Sequence, residues 1–117
     1  MKAAALQIAQ EQPRPGVAVI ALSGKVMLGA HTGAIEELIT GLLAQGVRKI
    51  VVDLSGVTHI DSTGIGVFIA SLGKVTQAGG TLAMAGASGV VREGFRVTRL
   101  DRVFRFYADR AVALDAL

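Results

Sequence analysis

The segment His59-Ile60-Asp61-Ser62-Thr63-Gly64-Ile65-Gly66 places two hydroxyls beside a carboxylate, directly after the apolar run Ile50-Val51-Val52-Asp53-Leu54. This order reads as a buried strand, a short loop and the first turn of a helix. Unpaired N–H groups and the helix dipole make a helix start favourable to an anion. A hydroxyl there can accept a phosphoryl group with little change in structure, which is the chemistry of a switch. A second reading needs only structure: Asp61 or Ser62 caps the helix, and Gly64 and Gly66 let it approach its neighbours closely. Catalysis fits poorly. Ser62, His59 and Asp61 are the residue types of a hydrolytic triad, but they are too close in sequence to form a nucleophile, a base and a group that holds the base. The G-x-S-x-G elbow is absent. The P-loop is absent too, because Gly73-Lys74-Val75 lacks its spacing and its hydroxyl, and Gly64-Ile65-Gly66 has no third glycine for a dinucleotide fingerprint.

The composition narrows the class further. The chain has 117 residues, of which 51% are apolar, and this suits one domain spanning residues 1–117. With no cysteine there is no disulfide or thiolate metal site, and His31 and His59 have no evident third ligand. No run approaches the ~18 apolar residues of a membrane span, and Gln7, Gln10 and Glu11 follow Met1–Leu6 too soon for a signal peptide. A cytoplasmic protein is expected, without membrane insertion. The net charge is +3, carried late in the chain by Arg92, Arg96, Arg99, Arg102, Arg105 and Arg110. Acidic residues are interspersed and aromatics for base stacking are few, so these arginines read as a solvated face and not as a nucleic-acid site.

The elements that must position the motif follow from periodicity. Ala5–Gln10 and Val17–Ser23 read as two strands joined by the Pro13-Arg14-Pro15-Gly16 turn, an antiparallel pair at a sheet edge. Ile35, Leu38, Ile39, Leu42 and Leu43 mark a helix that ends near Gly46. Lys49–Leu54 is a central strand. A helix from about Ser62 to Ala78 carries the stripe Ile65, Phe68, Ile69, Leu72 and Val75. Thr81–Ala85 is a strand, about Val90 to Thr98 a helix, Val103–Tyr107 a short strand, and a last helix begins near Asp109. Alternation after the hairpin predicts an α/β single domain with about four helices. Its sheet is mixed and mostly parallel, with an antiparallel edge strand.

Val51-Val52-Asp53-Leu54-Ser55 followed by Ile60-Asp61-Ser62-Thr63-Gly64-Ile65-Gly66 resembles the signature of STAS domains, and within them the bacterial anti-sigma-factor antagonists. The string Val91 to Thr98, then Leu100, Phe104, Tyr107 and Ala113-Leu114, is similar to the family's C-terminal pattern. The resemblance implies a non-enzymatic regulator without cofactor. Its partners would be an anti-sigma factor that is also a serine/threonine kinase, and a serine/threonine phosphatase. The antagonist binds the kinase, frees a sigma factor, and is switched off by phosphorylation in the motif. The acceptor position falls on Thr63, with Ser62 as second choice. The partner surface would comprise Asp61, Ser62, Thr63, Gly64 and Ile65 together with Lys25 and Met27 of the 24–32 loop. This chain departs from the pattern in two places. Lys25-Val26-Met27 follows Ser23-Gly24 where the family often has an acidic residue. Arg99 stands where the family usually has glycine, which predicts a different local turn. The alternatives are a STAS accessory subunit of a transport complex, for example for lipids, in which Thr63 is not phosphorylated, and a nucleotide or small-molecule sensor.

Overall fold

Pro15 and Gly16 turn the chain between strands β1 (Gln7–Arg14) and β2 (Val17–Val26), which pair antiparallel from Gln7 opposite Ser23 to Arg14 opposite Val17. The computed structural model describes residues 5–29 and 31–117. Residues 1–4, part of the N-terminal stretch weighed as a signal peptide, and position 30 of the 24–32 loop lie outside it. After the hairpin come α1 (Gly33–Ala44), β3 (Lys49–Ile60), α2 (Ser62–Gln77), β4 (Thr81–Ala85) and α3 (Gly89–Val97). A 3-10 turn (Leu100–Arg102), β5 (Arg105–Tyr107) and α4 (Arg110–Ala116) complete the chain. The strands lie in the order β1-β2-β3-β4-β5, and every pair after the first is parallel. This is the mixed α/β sheet that the alternation of elements predicts.

Strand alternation decides which helices cover which face. Ala18, Ile20 and Leu22 of β2, Ile50, Val52 and Leu54 of β3, and Leu82 and Met84 of β4 point into the main core. There they meet Ile35, Ile39 and Leu42 of α1, Val67, Phe68 and Val75 of α2, and Val91 and Phe95 of α3. The intervening residues Val19, Val51 and Ala85 form a smaller cluster on the other face, under Ala113 and Leu114 of α4. The chain's 4 phenylalanines make one group. Phe95 lies 5.1 Å from Phe106, 5.5 Å from Phe104 and 6.0 Å from Phe68 between ring centroids, and so fixes α3 against both α2 and the sheet edge.

Pro13 and Arg14, expected in the turn, instead end β1, because Arg14 still pairs with Val17 of β2, and three further local expectations need correction. The central strand does not stop at Leu54. Because β2 continues to Val26, it offers pairing partners as far as Ile60, through two register shifts. At the first of these the two strands come close, and a Cβ on Gly56 would lie only 2.8 Å from the Ser23 Cβ. The buried face of α2 is also rotated from the expected stripe: Gly64, Val67, Phe68, Ser71 and Val75 are inside, whereas Ile69 is 47% exposed. Periodicity gives the presence of an apolar face. Its angle here follows from where Gly64 seats the helix.

The third correction concerns Arg99. It does not change the turn, but adopts the left-handed conformation itself, with φ 61° after the end of α3. This conformation costs a side-chain-bearing residue about 1–2 kcal/mol, part of which glycine returns as chain entropy. Arg99→Gly is therefore expected to stabilise the fold by roughly 1 kcal/mol, read as a higher urea midpoint at unchanged slope. A lower midpoint would show that the arginine side chain contributes more to stability than its backbone costs.

Candidate functional site

The end of β3 delivers Asp61 to the start of α2 in extended geometry (φ −123°, ψ −174°), the backbone of an N-cap. Its two carboxylate oxygens do different work. Oδ1 accepts from the Gly64 amide at 2.9 Å and so caps α2. Oδ2 accepts from the Leu28 amide at 3.0 Å and so ties down the segment that follows β2. These two bonds, the Leu28 amide foremost and then Gly64, hold the Asp61 carboxyl below its ordinary pKa of 3.8. A lowered carboxylate pKa means stability that is present above the unfolded value and lost as pH falls through the folded one. Asp61→Ala should thus cost about 1–2 kcal/mol at neutral pH, and the gap to wild type should narrow in acid. Urea titrations at neutral and acidic pH check this. A pH-independent gap would mean that the carboxylate charge is not what the amides hold.

Ser62 and Thr63 are the first two residues of α2. Ser62 is exposed and Thr63 half-buried. Gly64 is buried, and a Cβ built on it would lie 2.2 Å from the Val26 carbonyl oxygen. The Asp61 amide reaches the same oxygen at 3.4 Å. The helix start is thus pressed onto the end of β2. On its other flank is α3, where a Cβ on Gly94 would meet Ile60 Cγ2 at 3.2 Å and Ile65 Cδ1 at 3.9 Å. Asp61, Ser62, Thr63 and Ile65 therefore share one surface between the 27–29 segment and α3, whereas Gly64, expected to meet the partner, is buried beneath it because it seats the helix on Val26.

Lys25 and Met27 are placed differently. Lys25 is exposed and pairs across the ladder with His59. Alternation puts it on the sheet face opposite its buried neighbour Val26, and so away from the seat of Gly64. Met27 is half-buried and lines a groove of about 410 Å³ with Leu6, Lys25, Leu28 and His31. His59 is not beside Ser62: its Nδ1 lies 2.9 Å from Thr58 Oγ1, and that hydroxyl donates to the Gly24 carbonyl at 3.3 Å. No triad is formed. Among the described residues no group of His, Asp and Glu could hold a metal ion, and no helix is long and apolar enough to cross a membrane. Sequence reasoning placed Leu28 only within the 24–32 loop of the partner surface and missed its tie to Asp61; it is 80% exposed beside the motif and anchored through its amide. No local pattern links it to an aspartate so distant in the chain.

A strand order of this kind, with a capped hydroxyl-bearing helix start after the central strand, defines a class of small domain. The family model of the STAS domain matches residues 9–113, and the chain belongs to that family. It is 35% identical over 66 residues to the anti-sigma-B factor antagonist of Staphylococcus aureus, a match that spans 56% of this chain and 61% of that relative. An anti-sigma factor antagonist from Mycobacterium paratuberculosis is similar in structure, with TM-score 0.81 at 26% identity over 95% of this chain and 92% of that one. The phosphorylated form of the Bacillus cell fate determinant SpoIIAA gives 0.74 at 21%, over 94% and 98%. A sulfate transporter family protein from Wolinella succinogenes gives 0.73 at 15%, over 91% and 88%. The last two likenesses concern the fold alone.

Proposed function

We propose that this chain is an anti-sigma factor antagonist. It binds an anti-sigma serine/threonine kinase through the surface around the start of α2, frees a sigma factor, and is switched off by phosphorylation at Thr63. The observation that carries this reading is the helix start itself: Thr63 lies in the first turn of α2, and Asp61 holds that turn from both sides. The similarity to proteins named as anti-sigma factor antagonists supports the same reading.

The physics of the switch follows from the seat of the helix. A phosphate adds about 1.5 to 2 negative charges, and the dipole of α2 lowers the cost of placing them there. With Gly64 pressed on the Val26 carbonyl, the helix has no room to move inward. Phosphorylation then changes the charge and bulk of a docking surface and leaves the fold in place. A partner packed against Thr63 meets a desolvated dianion next to the Asp61 carboxylate and is released. The protein transfers nothing itself. The kinase supplies ATP and magnesium, and a phosphatase restores the active form.

Pull-down from native lysate with the unmodified chain and with Thr63→Glu tests the reading. A serine-kinase anti-sigma factor should be retained by the first, with at least a ~100-fold weaker affinity for the second, since like charges at an interface cost several kcal/mol. With kinase and ATP, peptide mapping should place the phosphate on Thr63, and Thr63→Ala should abolish it. Phosphate on Ser62 would move the acceptor by one residue. Equal capture of transport subunits by both forms would refute the switch and assign the chain to a transport complex; a sulfate transporter family protein from Wolinella succinogenes shares the fold.

A further inference from the structure

The chain's net charge of +3 falls within one segment of its sequence. Residues 89–107 hold Arg92, Arg96, Arg99, Arg102 and Arg105 against Glu93 and Asp101, and the other seven cations of the chain balance its other seven acids. Two of these arginines are engaged. Arg96 Nε donates to Glu93 Oε1 at 2.9 Å, and the Arg92 guanidinium lies 4.3 Å from the Phe106 ring centroid. Arg99, Arg102 and Arg105 make no ion pair among the described residues. Arg96, Arg99 and Arg102 line a single cleft of about 390 Å³, with Asp101 as its fourth wall.

A run of arginines after a helix end has an ordinary explanation, since cations suit the negative end of the dipole. That explanation does not account for Arg99. A cation could serve the dipole from any position in the last turn, yet here it occupies the one left-handed residue after α3, at φ 61°. Backbone strain retained where glycine would relieve it points to use of the side chain. The cleft lies before β5, at the N-terminal ends of the parallel strands, whereas Asp61 and Thr63 follow the C-terminal end of β3. The two surfaces share no lining residue.

We propose that this cleft is a binding site for a small phosphomonoester that also carries hydroxyl groups, such as a sugar phosphate. Planar guanidinium groups bind phosphate oxygens in pairs. Asp101, acceptor-only when ionised, suits a hydroxyl of the same ligand. The geometry disfavours a polymer of phosphates. Asp101 interrupts the positive track, Phe106 is covered by Arg92, and Phe95 and Phe104 are buried, so none of these rings is free to stack a base. The site is separate from the Thr63 surface and does not rest on the antagonist reading.

Amide NMR titration of the labelled full chain tests the site, with inorganic phosphate, ribose 5-phosphate, ribose and potassium chloride of matched ionic strength as probes. Saturable shifts confined to residues 96–102 are expected with phosphate, at lower concentration with ribose 5-phosphate, and not with ribose or chloride. Arg99→Gly keeps the left-handed backbone and removes the guanidinium. It should weaken ribose 5-phosphate by about tenfold, the equivalent of ~1.4 kcal/mol, while Lys49→Gln, an equal charge loss on the central strand, should leave it unchanged. Shifts that do not saturate, that chloride reproduces, or that survive Arg99→Gly would overturn the site. Retention on phosphatidic-acid vesicles without response to the free phosphates would overturn it too, and assign the arginines to a membrane surface.

Discussion

Replacing Gly64 with alanine will destabilise this domain by about 3 kcal/mol or more, at the upper end of overpacking effects. Its melting temperature will fall by roughly 10 °C. The added methyl would lie 2.2 Å from the Val26 carbonyl oxygen and 3.0 Å from both Ile60 Cγ1 and Val26 Cγ1. The nearest of these is backbone within a parallel ladder and cannot swing aside, so α2 must move outward. That movement stretches the bonds from Asp61 to the Gly64 and Leu28 amides together, and the 27–29 segment loosens with the helix. Gly66→Ala on the same helix is the control. A Cβ there meets nothing within 4 Å, and alanine is the better helix former by about 1 kcal/mol. Its melting temperature should rise. Thermal denaturation of the two variants should thus give opposite signs, and a stable Gly64→Ala would show that the helix start is not clamped.

The second large effect concerns the other face of the sheet. Asp53 is 7% exposed; its Oδ2 accepts from Arg110 Nε at 2.9 Å and lies 2.8 Å from Nη2, while Oδ1 accepts from the Ser55 amide at 3.0 Å. Arg110 also pairs with Glu11 of β1, so one guanidinium joins α4, the central strand and the edge strand. Burial pushes the Asp53 carboxyl upward, and the bonds from Ser55 and Arg110 outweigh it, so the pKa lies below 3.8. The pair thus stabilises the fold above the unfolded carboxylate value, and this contribution disappears as pH falls through the lowered one. Arg110→Leu leaves a buried carboxylate without its cation. A fully buried pair broken this way costs ~3–5 kcal/mol, and the 39% exposure of Arg110 reduces the expected loss to about 2 kcal/mol at neutral pH. In acid the wild type loses the pair and the variant's Asp53 becomes neutral, so the two should converge. Chemical unfolding across this range reads the difference directly, and a constant gap would assign the loss to packing.

Most of the fold was legible because apolar periodicity and turn residues act locally. A turn between the first two strands, the three parallel crossovers and a cap at Asp61 or Ser62 all declare themselves within a few residues. The motif was legible for the same reason: cap, hydroxyls and glycine are contiguous. Contacts between distant segments were not. The rotation of α2 depends on Gly64 meeting Val26, the extension of β3 depends on how far β2 runs, and Asp61 finds Leu28 across 33 positions. Gly64 and Gly66 look alike in sequence, yet only the first is pressed against a neighbour. Arg99 was misread because residue preference at a left-handed position is a bias and not a prohibition. The conformation stays, and the arginine carries its strain.

The order in which strands sit beside one another has a consequence for biosynthesis. Each strand lies next to the one made before it, from β1 to β5, so none must be threaded between two that have already paired. A chain leaving the ribosome from its N-terminus can close the hairpin first and then add one strand and its covering helix at a time. Each addition extends a growing edge, and few wrong pairings compete at any stage. The last step docks α4, which brings Arg110 to Asp53 and to Glu11 at once. Covering of the sheet's second face is thereby tied to the last of these elements to join.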